Sequence, residues 1–157
     1  MNPLQRSSLA LLLAVALGAG AAPSYAVADD PLPVDPFVPG IHEDPTLATA
    51  WQRWQSRAID DYVITVRRSC YCPPESAVRT VVRDDAVRRV TRGEKRLGPA
   101  LGYSMDGMYV RLREAMARAD RVEVDWTERG VPRAITIDPD LSAADEETYF
   151  SVVVRRL

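Results

Sequence analysis

Cys70 and Cys72 are the only cysteines in the 157-residue chain, and Tyr71 alone separates them. Two thiols at that spacing can close a small disulfide, exchange that bridge with partner thiols, or hold a soft metal ion such as Cu(I). On an extended strand both side chains share a face, but alternate Cα atoms stand roughly 6.5 Å apart, near the upper limit for a bridge. Joining them therefore demands a kink, and Pro73-Pro74 ends the strand where a kink is tolerated. With only two cysteines, an oxidising compartment makes this pairing, a local clasp at the strand exit, the default reading, although so small a loop restricts the unfolded chain little. Redox exchange would draw on the ease with which a strained bridge is reduced, with Arg67 and Arg68 favouring the thiolate. Against it, no histidine stands nearby and no helix begins at Cys70. Copper would need a third ligand, a methionine or His42, the only histidine.

The compartment decides which of these readings holds, and the first residues bear on it. Arg6 is followed by an apolar run from Leu9 to Leu17, then by small residues up to Ala28. Residues 1–28 read as a cleaved signal peptide, too short and too Gly/Ala/Pro-interrupted to serve as a membrane anchor. The expected location is periplasmic or extracellular, where a disulfide persists. No second apolar stretch follows, so no membrane span is expected after cleavage. Removing the leader takes one of 20 basic residues and none of the 22 acidic ones, and this mild acidity gives no support for nucleic-acid binding.

Residues 29–45 hold Pro31, Pro33, Pro36, Pro39 and Pro45 and read as an extended tether, with His42 a solvated part of it. Residues 46–157 then suit a single domain. Asp44 and Pro45 start a helix whose apolar positions are Leu47, Trp51, Trp54 and Ala58. Tyr62, Ile64 and Val66 alternate along a strand that runs to Cys72. Residues 77–83 and 86–91 form a hairpin about Asp84-Asp85. A glycine-rich loop follows, in which Arg92, Lys95 and Arg96 make a small basic cluster suited to an anionic partner. Ser104 caps a second helix with Asp106 in its first turn and a stripe through Met105, Met108, Tyr109, Leu112, Ala115, Met116 and Ala119. Strands about Val122–Trp126, Ile135–Ile137 and Phe150–Val154 complete the chain. The predicted class is α+β: an antiparallel sheet of about five to six strands with both helices packed on one face.

Other chemistry is not encoded in any recognisable pattern. Asp138-x-Asp140-x-Ser142 begins like a calcium loop but lacks the turn glycine and the final carboxylate. Ser142 and Asp145 suit a short capped turn, and Asp60 and Asp61 a helix end. No G-x-S-x-G, H-E-x-x-H or phosphate-cradling glycine loop occurs. No catalytic residue, cofactor or metal site is therefore predicted.

Several stretches together resemble a known family. They are Trp54 ahead of the Tyr62 strand, C-x-C-P at Cys70, Cys72 and Pro73, YSMDGMY at 103–109, ERGVPRAITIDPD at 128–140 and DEETY at 145–149. This pattern resembles a bacterial family of exported proteins known as domain of unknown function 6174, over roughly Leu47 to the C-terminus. Tyr71 stands where the family favours Phe, and Val131 fills its Gly-to-Pro turn. The resemblance implies export and a shared sheet, and it brings no reaction, substrate or cofactor. The expected function is a non-enzymatic binding or structural domain of the cell envelope, with an envelope protein or surface component as partner. The alternative is thiol–disulfide redox or copper handling at Cys70 and Cys72.

Overall fold

A computed structural model describes residues 30–157; the expected leader at 1–28 lies outside them. Helix α1 spans Pro45–Gln55. The Asp44 carboxylate accepts the N–H groups of Thr46 and Leu47, and Pro45 supplies a first residue with no N–H to satisfy. It buries Leu47, Ala50 and Trp54. Ala58 lies beyond the helix end, exposed and at a left-handed φ of 45°. Helix α2 spans Met105–Arg118; the Ser104 hydroxyl caps it by accepting the Gly107 N–H, and it buries Met105, Met108, Tyr109 and Leu112.

The strands are β1 (Leu32–Pro33), β2 (Tyr62–Cys70), β3 (Val78–Arg83), β4 (Ala86–Arg92), β5 (Lys95–Leu97), β6 (Arg121–Trp126), β7 (Pro132–Asp138) and β8 (Thr148–Arg156). They form one antiparallel sheet ordered β1-β4-β3-β2-β8-β7-β6, with β5 also on β4. The class is α+β as expected, but the sheet has eight strands rather than five to six. Both additions are short pieces on the outer edge of β4: β1 opposite Ala86 and Val87, β5 opposite Val90 to Arg92. A two-residue strand among prolines and a three-residue strand after a glycine turn carry too few residues to show a period of two. Asp84 and Asp85, both at positive φ, make the tight turn that the β3–β4 hairpin requires.

Period-two alternation divides the sheet. Tyr62, Ile64 and Val66 of β2, Val78 and Val82 of β3, Val90 of β4, Ile135 of β7 and Val152 and Val154 of β8 join both helices in one core. Three polar contacts tie the layers. The Tyr62 hydroxyl accepts the Met105 N–H at 3.0 Å, and the buried Thr80 hydroxyl accepts the Tyr103 N–H at 2.9 Å. The Tyr109 hydroxyl donates to the Gly130 carbonyl at 3.0 Å, with the Ala50 carbonyl at 3.3 Å. Burial pushes both tyrosines far above their ordinary pKa, so both hydroxyls stay protonated throughout the accessible pH range.

The proline-rich segment, expected to act as a tether, packs on the domain over its described part, residues 30–45. Its anchor is Phe37, buried against Tyr109 at 5.4 Å between ring centroids and near Trp51 at 6.3 Å. The Arg113 guanidinium lies 4.1 Å from the centre of the Phe37 ring. It donates to the Val38 carbonyl at 2.6 Å and to the Glu43 carboxylate at 2.7 Å. The Phe37 N–H donates to Asp106 at 2.9 Å. Prolines lower the entropy lost on docking, so one aromatic anchor and a few charge-assisted bonds hold an otherwise ladder-poor segment.

This packing makes two substitutions informative. Gly130 sits at φ +83°, and a Cβ there would lie 2.0 Å from the Ala50 carbonyl oxygen. Gly130→Ala should therefore lose about 3 kcal/mol from left-handed strain plus overpacking. Gly40→Ala, with nothing within 4 Å, should change little; urea unfolding of both variants tests the contrast. Asp106 has its pKa raised from the ordinary 3.8 by burial, the Phe37 N–H pulling partly back. Its proton is held more tightly in the fold, so its contribution to stability falls as pH rises from 3.8 through the raised value. Asp106→Asn keeps an acceptor for Phe37 and removes that titration. Its unfolding free energy should vary less over the acidic range and match or exceed wild type at neutral pH; a clear loss at neutral pH would mean that the charge itself holds the segment.

Candidate functional site

The structure brings Cys70 and Cys72 together at the end of β2. Cys70 is the last strand residue, opposite Thr148 of β8, and the Cys72 N–H turns back to its carbonyl at 2.7 Å. That turn shortens the Cα separation to 5.1 Å and puts the two sulfurs at bonding distance. The strand thus stops two residues before the expected Cys72, with the kink at Tyr71, which is exposed. Cys72 is exposed and Cys70 half-buried. Arg68 shares Cys70's face of the strand, and Arg67 takes the other.

His42 is exposed in the turn before α1, and no three His, Cys, Asp or Glu side chains converge on a metal-sized site among the described residues. Asp61 serves structure: its carboxylate accepts the Asp84 N–H at 3.2 Å. Asp60 is exposed beside it. Asp140 accepts the Ser142 N–H and hydroxyl, the latter the larger cause of its lowered pKa, so it closes a turn. No helical turn forms at Ser142 and Asp145.

The basic loop residues are split by the sheet. Arg92 is paired in register with Lys95, and Thr91 with Arg96, so Lys95 and Arg96 point to opposite faces. Arg92 also reaches Glu75 at 3.4 Å. Only Arg96 joins a larger array, on the sheet face turned away from the helices. There, one cross-strand row runs Arg155, Val63, Val81, Arg89, and the next runs Val153, Thr65, Arg79, Thr91, Arg96. Arg67 follows in the row through Ala134 and Ser151.

Arg67, Arg79, Arg89 and Arg155 are exposed, and none makes a hydrogen bond or ion pair with a described residue. β8 and β4 stand three strand spacings apart, about 14 Å, so the four charges share one compact patch. Of the acidic residues on this face, those of β6 at its far edge are already paired, Glu123 with Arg121 and Asp125 with Arg133, and Asp138 at the end of β7 is buried opposite Arg121. Val63 sits among the arginines yet is only 7% exposed, so neighbouring side chains lie over it. Val153 and Tyr149 add exposed apolar surface to the same face. Reading single stretches missed this array because its members come from four strands. The usable signal was Arg at the solvent-facing positions of successive strands, and it required the register to become a patch.

The family model described as a family of unknown function, DUF6174, matches residues 46–155, and the chain belongs to that family. The matched region includes α2, all of α1 but its first residue, the cysteine pair and all four arginines, and it stops short of the docked proline-rich segment. No curated protein and no solved structure matches the chain. No helix among the described residues is long and apolar enough to cross a membrane.

Proposed function

We propose that this family member is an exported, non-enzymatic bacterial domain that associates with an anionic membrane surface of the cell envelope through the open face of its sheet. The observation that carries this reading is the patch of Arg67, Arg79, Arg89 and Arg155, which have no carboxylate partner among the described residues, in a chain whose net charge is −2. Like charges gathered on a small area repel one another, and an anionic surface relieves that cost. Exposed Val153 among them and Tyr149 in the row beyond Arg67 favour a membrane interface over a soluble polyanion, since tyrosine suits a boundary with one apolar and one wet side. Each arginine near an anionic leaflet contributes about 1 kcal/mol, so four give roughly a thousandfold preference over a neutral surface, weakened by salt.

Cys70 and Cys72 act in this reading as a disulfide clasp at the end of β2. The leader-like residues 1–28 support the oxidising compartment that such a bridge needs, and the close pairing of the sulfurs supports the bridge. Thiol exchange or copper binding would use the same pair, but with neither a helix N-terminus at Cys70 nor a described metal-ligand cluster beside it.

Co-sedimentation tests the surface reading. The protein should pellet with phosphatidylglycerol-containing vesicles at low salt, not with phosphatidylcholine vesicles, and release at high salt. Arg79→Glu with Arg89→Glu should weaken binding more than tenfold without changing unfolding. Equal binding to both vesicles, or an unaffected double variant, refutes it. For the clasp, the intact mass of protein from the exported fraction should be two hydrogens short and resist alkylation. Cys72→Ser should then cost no more than about 2 kcal/mol and leave vesicle binding unchanged, because so short a loop constrains little. Two alkylatable thiols would remove the clasp and bring copper titration forward.

A further inference from the structure

The helix side of the sheet is not fully covered. Met108 and Leu112 of α2 press onto the core, but the next residues on that line, Ala115 and Ala119, are too small to fill the space above β7 and β8. A groove of about 310 Å³ remains, floored by Ile135, Ile137 and Phe150. That volume lies at the small end of ligand sites, enough for one chain-like molecule.

Its rim has a different character. Arg111 and Arg118 of α2 stand along one wall, and Arg68 is the cross-strand neighbour of Phe150. Arg68, Arg111 and Arg118 are all exposed. Arg111 stacks on Tyr103 at 5.3 Å, and Arg118 has no hydrogen-bonded or ionic partner among the described residues. Glu114 is the one acidic residue of the lining and makes no ion pair with either arginine. An apolar floor beneath a rim with excess positive charge complements a molecule that is apolar along its length and anionic at one end.

We propose that this groove binds a single-chain anionic amphiphile of the fatty-acid class. Its chain lies over Ile135, Ile137 and Phe150, and its carboxylate meets Arg111 and Arg118. The groove opens on the opposite side of the sheet from the arginine patch, so amphiphile binding and surface association succeed or fail separately. A neutral apolar ligand would leave the rim charges unanswered, and a two-chain lipid exceeds the space.

The test is titration of the purified protein with laurate below its micellar range, followed by amide NMR. Saturable shifts are expected at Ala115, Ala119, Ile137 and Phe150, with dodecanol binding more weakly. Ala115→Phe, which fills the groove, should abolish the shifts. Arg118→Glu, on the exposed rim, should weaken laurate at least tenfold, as expected for a charge-assisted contact turned repulsive. No saturable shifts, shifts confined to the open-face arginines, or full affinity in Arg118→Glu would each overturn the proposal. Should Ala115→Phe fail to fold, the Arg118 variant alone decides between binding in the groove and binding elsewhere.

Discussion

A single buried hydroxyl sets how three parts of this domain meet. Tyr109, fully buried, lies on α2, and its hydroxyl faces backbone carbonyls of α1 and of the β6–β7 turn. A phenol in an apolar core costs several kcal/mol unless its proton finds an acceptor, so the two carbonyls must stay within reach. Gly130 answers this demand with its backbone: only a residue without a Cβ brings its carbonyl so close to α1 at positive φ. The Tyr109 ring, meanwhile, is flanked by Phe37 at 5.4 Å and stacked with Trp126 at 6.2 Å. Moving this ring would therefore disturb both helices, the hairpin and the proline-rich segment at once.

With the helices fixed to one side, the other side of the sheet is left to water, and the two faces carry different chemistry. The core face is aliphatic; the open face alternates arginine with Thr and Val. Long arginine stems lie across Val63 while their heads stay wet, which lets a β-sheet keep an uncovered face without exposing a broad apolar patch. The same arrangement concentrates charge, because strands stand closer together than arginine side chains are long. A solubilising surface and a binding surface can thus have one structural origin.

Much of this was legible in the chain. Asp44-Pro45 and Ser104 mark both helix starts because capping is a local interaction, and Asp84-Asp85 marks its hairpin because the turn type constrains two residues only. What local patterns could not show were relations across distance. Phe37 looks like one apolar residue among prolines, and nothing near it signals that Asp106 and Arg113, some seventy positions away, will hold it. Arg92, Lys95 and Arg96 look like one cluster because they are close in sequence, whereas a strand turns neighbours to opposite faces. Arg67, Arg79, Arg89 and Arg155 look scattered because register, which unites them, is set by pairing rather than by spacing.

That register is where the cysteine pair and the arginine face connect. β2 is the central strand, matched to β8 over nine positions from Tyr62–Arg156 to Cys70–Thr148. A slip of one residue would exchange the faces of β2, sending Arg67 toward the helices and Ile64 to the solvent. The aliphatic core resists such a slip at the Tyr62 end, but toward Cys70 the strand becomes polar and exposed, and burial no longer specifies its alignment. A sharp turn at Tyr71 that draws Cys70 and Cys72 together supplies the missing stop: the chain cannot extend the ladder past Cys70 without opening it. The thiol pair then needs no chemistry of its own to matter for the fold, since ending β2 at one position keeps Arg67 on the open face and Arg68 on the groove side.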